Sequence, residues 1–315
     1  MLNCVTDMIS KYIPSLRLRT LPLSLSGIIL GSGLAYTQLS TINSQLSTIN
    51  SQLSTINCQL STKFDWYVFG WAILTTLCLQ ILSNLSNELG DAVKGTDAGQ
   101  QGRAAYGMQA GTITVGEMKR LIVVFIFLSM VFGLALVLTA FGTFACMDSL
   151  VFLGLGALAI VGAITYTLGK HNYGYRGLCD LGVFLFFGLL STMGSYYLQT
   201  KSLTSDVVLS AIAIAMPNVG VLNLNNIRDM ANDRLHGKRT LASRLGSTGA
   251  RIYHAGLLLV CFALFVCLGH YWVLLALPVI GWHVWYIFHH EGRDLDLQMP
   301  VLMFTTLAIA ALAII

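Results

Sequence analysis

Two polar stretches, each placed where an apolar run ends, hold the residues best suited to chemistry. They are NELGDAVKGTD, from Asn87 to Asp97, and NNIRDMANDRLHGKRTL, from Asn225 to Leu241. Only 14 of the 315 residues are Asp or Glu, yet Glu88, Asp91, Asp97, Asp229 and Asp233 all fall in these stretches. Carboxylates beside lipid are costly, so their concentration there points to function. Asn87 and Asp91 are four residues apart and share a helical face, and Asn225, Asp229 and Asp233 form a similar stripe over two turns. Gly95 predicts that the first helix ends there and that Asp97 returns from a loop. Oxygen donors on two facing stripes suit a hard cation. Mg²⁺ in particular takes one or two carboxylates and completes its shell with substrate phosphates. Lys94, Arg228, Arg234, Lys238 and Arg239 are interleaved with the acids and suit the phosphate oxygens that a metal leaves over. The combination reads as a site for a metal-bridged diphosphate. Ordinary surface ion pairs are the competing reading, but pattern, side and repetition agree on the first.

The elements that position these stretches are membrane spans. The chain is 55% hydrophobic and 10% charged, which is not a soluble composition. Apolar runs long enough to cross a bilayer as helix recur at roughly 20–38, 66–86, 120–141, 150–169, 178–199, 206–226, 252–269, 271–289 and 300–315. Continuous rather than alternating apolar runs exclude a barrel. The expected fold is therefore all-α, a polytopic bundle of about nine transmembrane helices forming one domain over 1–315. In a nine-span arrangement Lys63 and Lys201 lie on one side and every other Lys and Arg on the opposite side. The positive-inside rule makes that opposite side cytoplasmic, and both acidic stretches land on it. The net charge of +4 thus reports topology and needs no nucleic-acid partner.

A heptad insert occupies about 38–62. QLSTINS recurs from Gln38, Gln45 and Gln52, and Leu39, Ile42, Leu46, Ile49, Leu53, Ile56 and Leu60 alternate spacings of three and four. It reads as a tandem repeat tolerated in an external loop, with a helical extension or oligomerising strip as the alternative. Cys78, Cys146, Cys179, Cys261 and Cys267 lie in or beside apolar spans and suit small hydrophobes rather than a disulfide framework. The N-terminus shows no convincing cleavage site after its apolar run.

NELGDAVKGTD, YTLGKHNYGYRGLCDL (Tyr166 to Leu181), NNIRDMANDRLHGKRTLASRLG and the opening RLRTLPLSLSGIILG resemble the UbiA superfamily of intramembrane aromatic prenyltransferases. Within it they are most similar to the 1,4-dihydroxy-2-naphthoate polyprenyltransferase branch of menaquinone biosynthesis. The resemblance runs from about Arg17 to Gly246, apart from the heptads, and is weak in the last three spans. Glu88 stands where that family usually has Asp, and Gln101 and Tyr106 stand where it often has Arg.

The resemblance implies transfer of a polyprenyl chain from its diphosphate to 1,4-dihydroxy-2-naphthoate, with loss of CO₂, at a bacterial cytoplasmic membrane. It implies Mg²⁺ held by Asn87, Asp91, Asp97, Asn225, Asp229 and Asp233, and a diphosphate held by Lys94, Arg228, Lys238 and Arg239. Asp91, Asp229, Lys94, Lys238 and Tyr166 are the expected catalytic set. Tyr166 reads either as a group facing an allylic cation or as an interfacial belt tyrosine. Tyr173, Tyr175 and Arg176 are expected to bind the acceptor carboxylate. His283, His289 and His290, near Trp282 and Trp285, read as interfacial residues, and Pro217 and Asn218 as helix-shaping ones. Another UbiA branch, acting on 4-hydroxybenzoate, haem or a chlorin, is the alternative within the enzyme class. A secondary transporter fits less well, because its site would lie in broken helices at midplane rather than at helix ends.

Overall fold

The computed structural model describes residues 11–52, 63–95, 107–169 and 172–315, with backbone alone at 47–52 and 175–176. No strand occurs among the described residues, and nine helices are long and apolar enough to cross a membrane. After a short turn at Ile13–Leu16, α1 runs Leu21–Gln52, α2 Trp66–Lys94, α3 Val115–Phe141 and α4 Met147–Thr165. The composite α5 spans Cys179–Thr200, and α6 runs Ser205–Arg228. The short α7 (Met230–Leu235) leads to α8 (Leu241–Cys267), α9 (Leu277–His289) and α10 (Gln298–Leu312).

Local chemistry explains the boundaries. Asp65 caps α2 by accepting hydrogen bonds from the backbone N–H groups of Tyr67 (2.8 Å) and Val68 (3.2 Å). Gly95 closes α2 in the left-handed region, at φ 70°, where a side chain is disfavoured. The helix therefore extends two turns beyond the apolar run and carries the first polar stretch. Thr114 and Glu117 form a reciprocal capping box at the start of α3. The heptad segment continues α1 as helix through Gln52; Gly and Pro are absent from 38–52, and helix is cheapest to propagate once nucleated. Residues 53–62 lie outside the described ones.

Burial separates the centre of the bundle from its rim. In α6, 72% of the most apolar window is buried, against 6% in α4. α6 is thus the axis, gripped by α8, α5 and α10. Exposed Phe127, Leu158 and Leu275 lie on spans of low burial, where lipid is the solvent and no hydrophobic cost arises. Close approach between α5 and its neighbours α6 and α1 depends on glycine. A Cβ on Gly188 would fall 2.1 Å from Ala215 Cβ, and one on Gly31 would fall 2.1 Å from the Thr192 carbonyl oxygen.

Two buried polar devices fasten the spans. Phe184–Leu190 forms a π-helical turn within α5, and the Phe187 carbonyl there accepts from Asn218 Nδ2 of α6 at 3.1 Å. Asn218 also lines the cavity described next. His283 Nε2 lies 3.1 Å from His254 Nε2, and its Nδ1 lies 2.8 Å from Gln298 Oε1. This chain of buried groups links α8, α9 and α10 and does not line the cavity described next.

Candidate active site

Asn87 to Lys94 of the first polar stretch sit on the last two turns of α2, and the second stretch runs from the end of α6 through α7 to the start of α8. The stripe Asn225, Asp229, Asp233 bends rather than breaks. Asp229 has φ −94° and ψ 7°, yet its N–H still reaches the Asn225 carbonyl (3.0 Å) and the Asp233 N–H reaches the Asp229 carbonyl (2.9 Å). The stripe therefore keeps its helical spacing through the bend.

Asn87 and Asn225 both line one cavity of about 640 Å³, together with Arg17, Asn84, Tyr166 and Tyr173. Its remaining wall is mostly apolar and descends to Ala72, Phe152 and Leu198. Asn87 and Ala72 are fifteen positions apart on α2, about 22 Å of helix rise. Gly133, Gly156 and Gly194 open this wall, since a Cβ on any of them would meet nothing closer than 3.7 Å. The result is a polar mouth above a long greasy tunnel.

Charge crosses between the stretches. Lys238 Nζ lies 3.7 Å from Asp233 Oδ1 and feels Asp91 and Asp229 as well, so its pKa rises despite burial. Asp233 is pushed up to about 6, by burial first and then by Asp229 and Asp91, with Lys238 opposing. The rise at Lys238 follows from one ammonium in the field of three carboxylates, and the rise at Asp233 from burial beside two other carboxylates. The Lys94 ammonium lies in the field of Asp91 and Lys238 and donates to the Thr167 carbonyl at 2.8 Å. Thr167 also donates from Oγ1 to Asn87 Oδ1 at 2.6 Å. Thr167 is thus the clamp that holds both ends of the first polar stretch.

A hard cation suits this donor set. The candidate ligands are all oxygens, and Asp233 Oδ2 is buried without a hydrogen-bond partner. No three His, Cys, Asp or Glu side chains among the described residues gather closely enough to hold a metal by themselves. Substrate oxygens must complete the shell, which is the habit of Mg²⁺ rather than of a metal held in a dedicated protein cage.

Several expected residues behave differently. Among the described residues of the two stretches only Asn87 and Asn225 line the cavity; Asp91, Lys94, Asp229, Asp233 and Lys238 do not, and neither does Arg228. Its Nε and Nη2 bind Asp229 Oδ1 and Oδ2 at 2.8 and 2.5 Å, and its Nη1 binds Asp296 Oδ1 at 2.5 Å. A guanidinium whose side chain is only 5% exposed needs such partners. Glu88 turns away from the site, accepting from Ser15 Oγ (3.1 Å) and the Met108 N–H (2.8 Å). Arg239 is exposed on the loop after α7, with its carbonyl packed over Gly177. Asp97, Gln101 and Tyr106 lie outside the described residues, and so do the side chains of Tyr175 and Arg176.

Tyr166 and Tyr173 meet edge to face, with ring centroids 5.3 Å apart. Burial pushes the Tyr173 phenol up to about 12 and that of Tyr166 well above its usual value, so both stay neutral. The Tyr173 hydroxyl donates to the Gly162 carbonyl at 3.0 Å, which leaves its ring, not its oxygen, for a ligand. Thr167, Asp296 and the pair Asp180–Tyr253 (3.0 Å) went unnoticed in the sequence. Thr167 and Asp180 do lie in the motif segment from Tyr166 to Leu181, which was the available signal.

Comparison with known proteins is decisive at this point. Residues 58–308 match the UbiA prenyltransferase family. The 1,4-dihydroxy-2-naphthoate octaprenyltransferase of Escherichia coli K12 is 43% identical over 300 residues, covering 93% of this chain and 87% of that protein. The enzyme of the same name from Haemophilus influenzae is 36% identical over 292 residues, covering 90% and 87%. The chain belongs to the UbiA prenyltransferase family. The UbiA fold is also recognised in solved structures. A UbiA homolog from Aeropyrum pernix K1 superposes with a TM-score of 0.63 at 15% identity, covering 93% of this chain and 98% of that one. A UbiA homolog from Archaeoglobus fulgidus, bound to GPP and Mg²⁺, gives 0.57 at 15% identity, covering 96% and 86%. At such identities the likeness concerns the fold.

Proposed function

We propose that this UbiA protein transfers a polyprenyl chain from polyprenyl diphosphate to 1,4-dihydroxy-2-naphthoate, releasing diphosphate and CO₂ and giving the prenylated naphthoquinol. The observation that carries the reaction class is the meeting of both polar stretches at the mouth of an apolar tunnel about 22 Å deep. The acceptor rests on the naphthoate octaprenyltransferases that match over nine-tenths of the chain. By the positive-inside rule the mouth opens to the cytoplasm, and the bacterial relatives support a bacterial cytoplasmic membrane.

Asn87, Asp91, Asn225, Asp229 and Asp233 would hold Mg²⁺ together with diphosphate oxygens; that a UbiA homolog of the same fold is bound to GPP and Mg²⁺ supports the choice of ion. The bound ion supplies Lewis-acid neutralisation of the leaving diphosphate. The protein's own groups do the rest. Lys238 and Lys94 stabilise the charge that develops on the departing oxygens. The tunnel takes the prenyl tail and keeps water from the allylic carbon. The Tyr166 and Tyr173 rings flank the mouth and offer π faces to the positive charge on that carbon. The naphthoate ring attacks through its carboxyl-bearing carbon as the C–O bond to diphosphate breaks. Loss of CO₂ then restores aromaticity.

Purified protein in detergent, supplied with Mg²⁺, a polyprenyl diphosphate and 1,4-dihydroxy-2-naphthoate, should form prenylated naphthoquinol and CO₂ in equal amounts. Turnover of 4-hydroxybenzoate in its place, with none of the naphthoate, would overturn the acceptor. Unimpaired turnover by Asp91→Ala would overturn the metal site.

A further inference from the structure

We infer that Asp296, in the 3₁₀ turn Gly292–Leu297 that leads into α10, is a positioning residue for the metal-diphosphate site and acts through Arg228 on Asp229. The inference rests on the function proposed above and adds a residue from outside both polar stretches. Arg228 ends α6, where a helix C-terminus favours a cation, and its side chain is 5% exposed. A guanidinium so placed needs its charge matched. Asp229 receives two of its N–H groups in a side-on fork, at 2.8 and 2.5 Å, and Asp296 receives a third at 2.5 Å. Asp296 is 68 residues from Arg228 in sequence and its side chain is 40% exposed. It therefore reaches inward from the rim to take a share of the charge.

That sharing matters because Asp229 is asked to do two things. Its two oxygens offer about four acceptor positions. Both oxygens accept from Arg228, and the same carboxylate is a candidate ligand of the cation. With Asp296 present, the three groups carry one negative charge in sum, and Asp229 keeps much of its attraction for a divalent ion. Without it, Arg228 and Asp229 cancel, and the fork tightens on the carboxylate that the metal needs. Outer partners of metal ligands commonly tune affinity in this way, by roughly 10- to 100-fold. The same contact ties the last two spans, where resemblance to the family is weakest, to the chemistry of the second polar stretch.

The test compares Asp296→Asn and Asp296→Ser with the charge-retaining Asp296→Glu. Mn²⁺ binding in the presence of inorganic diphosphate is followed by electron paramagnetic resonance, beside the Mg²⁺ dependence of prenyl transfer. The neutral variants should bind Mn²⁺ about tenfold more weakly and need about tenfold more Mg²⁺ for half-maximal rate, with the rate lost at limiting Mg²⁺ returning at high Mg²⁺. Asp296→Glu should recover most of the affinity. Unchanged Mn²⁺ binding in the neutral variants, or a lower metal-free melting temperature with unchanged metal affinity, would overturn the inference. Two neutral variants keep the comparison alive if one fails to fold. Mn²⁺ binding involves no acceptor, so an error in the naphthoate assignment would appear separately, as wild-type protein that binds metal and diphosphate but does not prenylate naphthoate.

Discussion

Gly90→Ala probes the clamp at the heart of the site with the smallest change a helix allows. Gly90 faces Thr167 across the contact between α2 and the segment after α4. A Cβ there would lie 2.7 Å from Thr167 Cβ and 3.1 Å from both its carbonyl carbon and oxygen. Carbon atoms settle at about 3.5–4.0 Å, so the two segments must part by roughly 0.5–1 Å. Two of the three atoms are backbone and cannot rotate aside. Thr167 holds Asn87 through its hydroxyl and Lys94 through its carbonyl, so moving it moves the groups on either side of Asp91. Stability should change little, because overpacking costs about 1–3 kcal/mol and replacing Gly by Ala in a helix returns up to about 1 kcal/mol. Catalysis should suffer far more, since a misplacement near 1 Å costs on the order of 10²-fold. The assay is kcat/KM for prenyl transfer beside the melting temperature in detergent. Gly70→Ala, on the same helix with nothing within 4 Å of the added carbon, is the control and should leave both readings near wild type. If Gly90→Ala kept kcat/KM within about threefold of wild type, Thr167 would not position the site and the clamp would be wrong.

Three further outcomes are expected. Asp233 has its pKa raised to about 6, against about 3.9 in an unfolded chain, so the folded protein binds the extra proton between those values. Metal-free stability from this group therefore grows as pH falls from about 6 to 4, while Mg²⁺-diphosphate affinity weakens over the same range. Melting and binding titrations should show both trends, and Asp233→Asn should flatten them. Gly133→Leu fills open tunnel wall, so kcat/KM for long polyprenyl diphosphates should fall several-fold relative to geranyl diphosphate, and an unchanged ratio would place the tail elsewhere. Lys238→Gln removes the ammonium shared by Asp233, Asp91 and Asp229, and should lower kcat by about 10²–10³-fold. Full activity would remove Lys238 from the mechanism.

What could be read from sequence alone was whatever depends on neighbours along the chain. Apolar run length marks a span because each helix satisfies its own backbone. All nine predicted runs correspond to spans, with the ends displaced. The four-residue spacing of Asn87 and Asp91 and the stop at Gly95 are likewise local, and both hold. The bias of Lys and Arg to one side put the two polar stretches together before any coordinates did.

Tertiary structure decided what those residues touch. Nothing local tells Arg228 that Asp296 will reach it from 68 residues away, or tells Glu88 that Ser15 and Met108 will draw it from the site. The tunnel, too, is a property of packing: Gly133, Gly156 and Gly194 come from three different helices and open space only where those helices meet. Periodicity and caps act within a segment, over a few residues of one helix. Partners for a buried charge, and the shape of a cavity, come from the packing of helices distant in sequence, and that is where sequence reasoning about this protein ended.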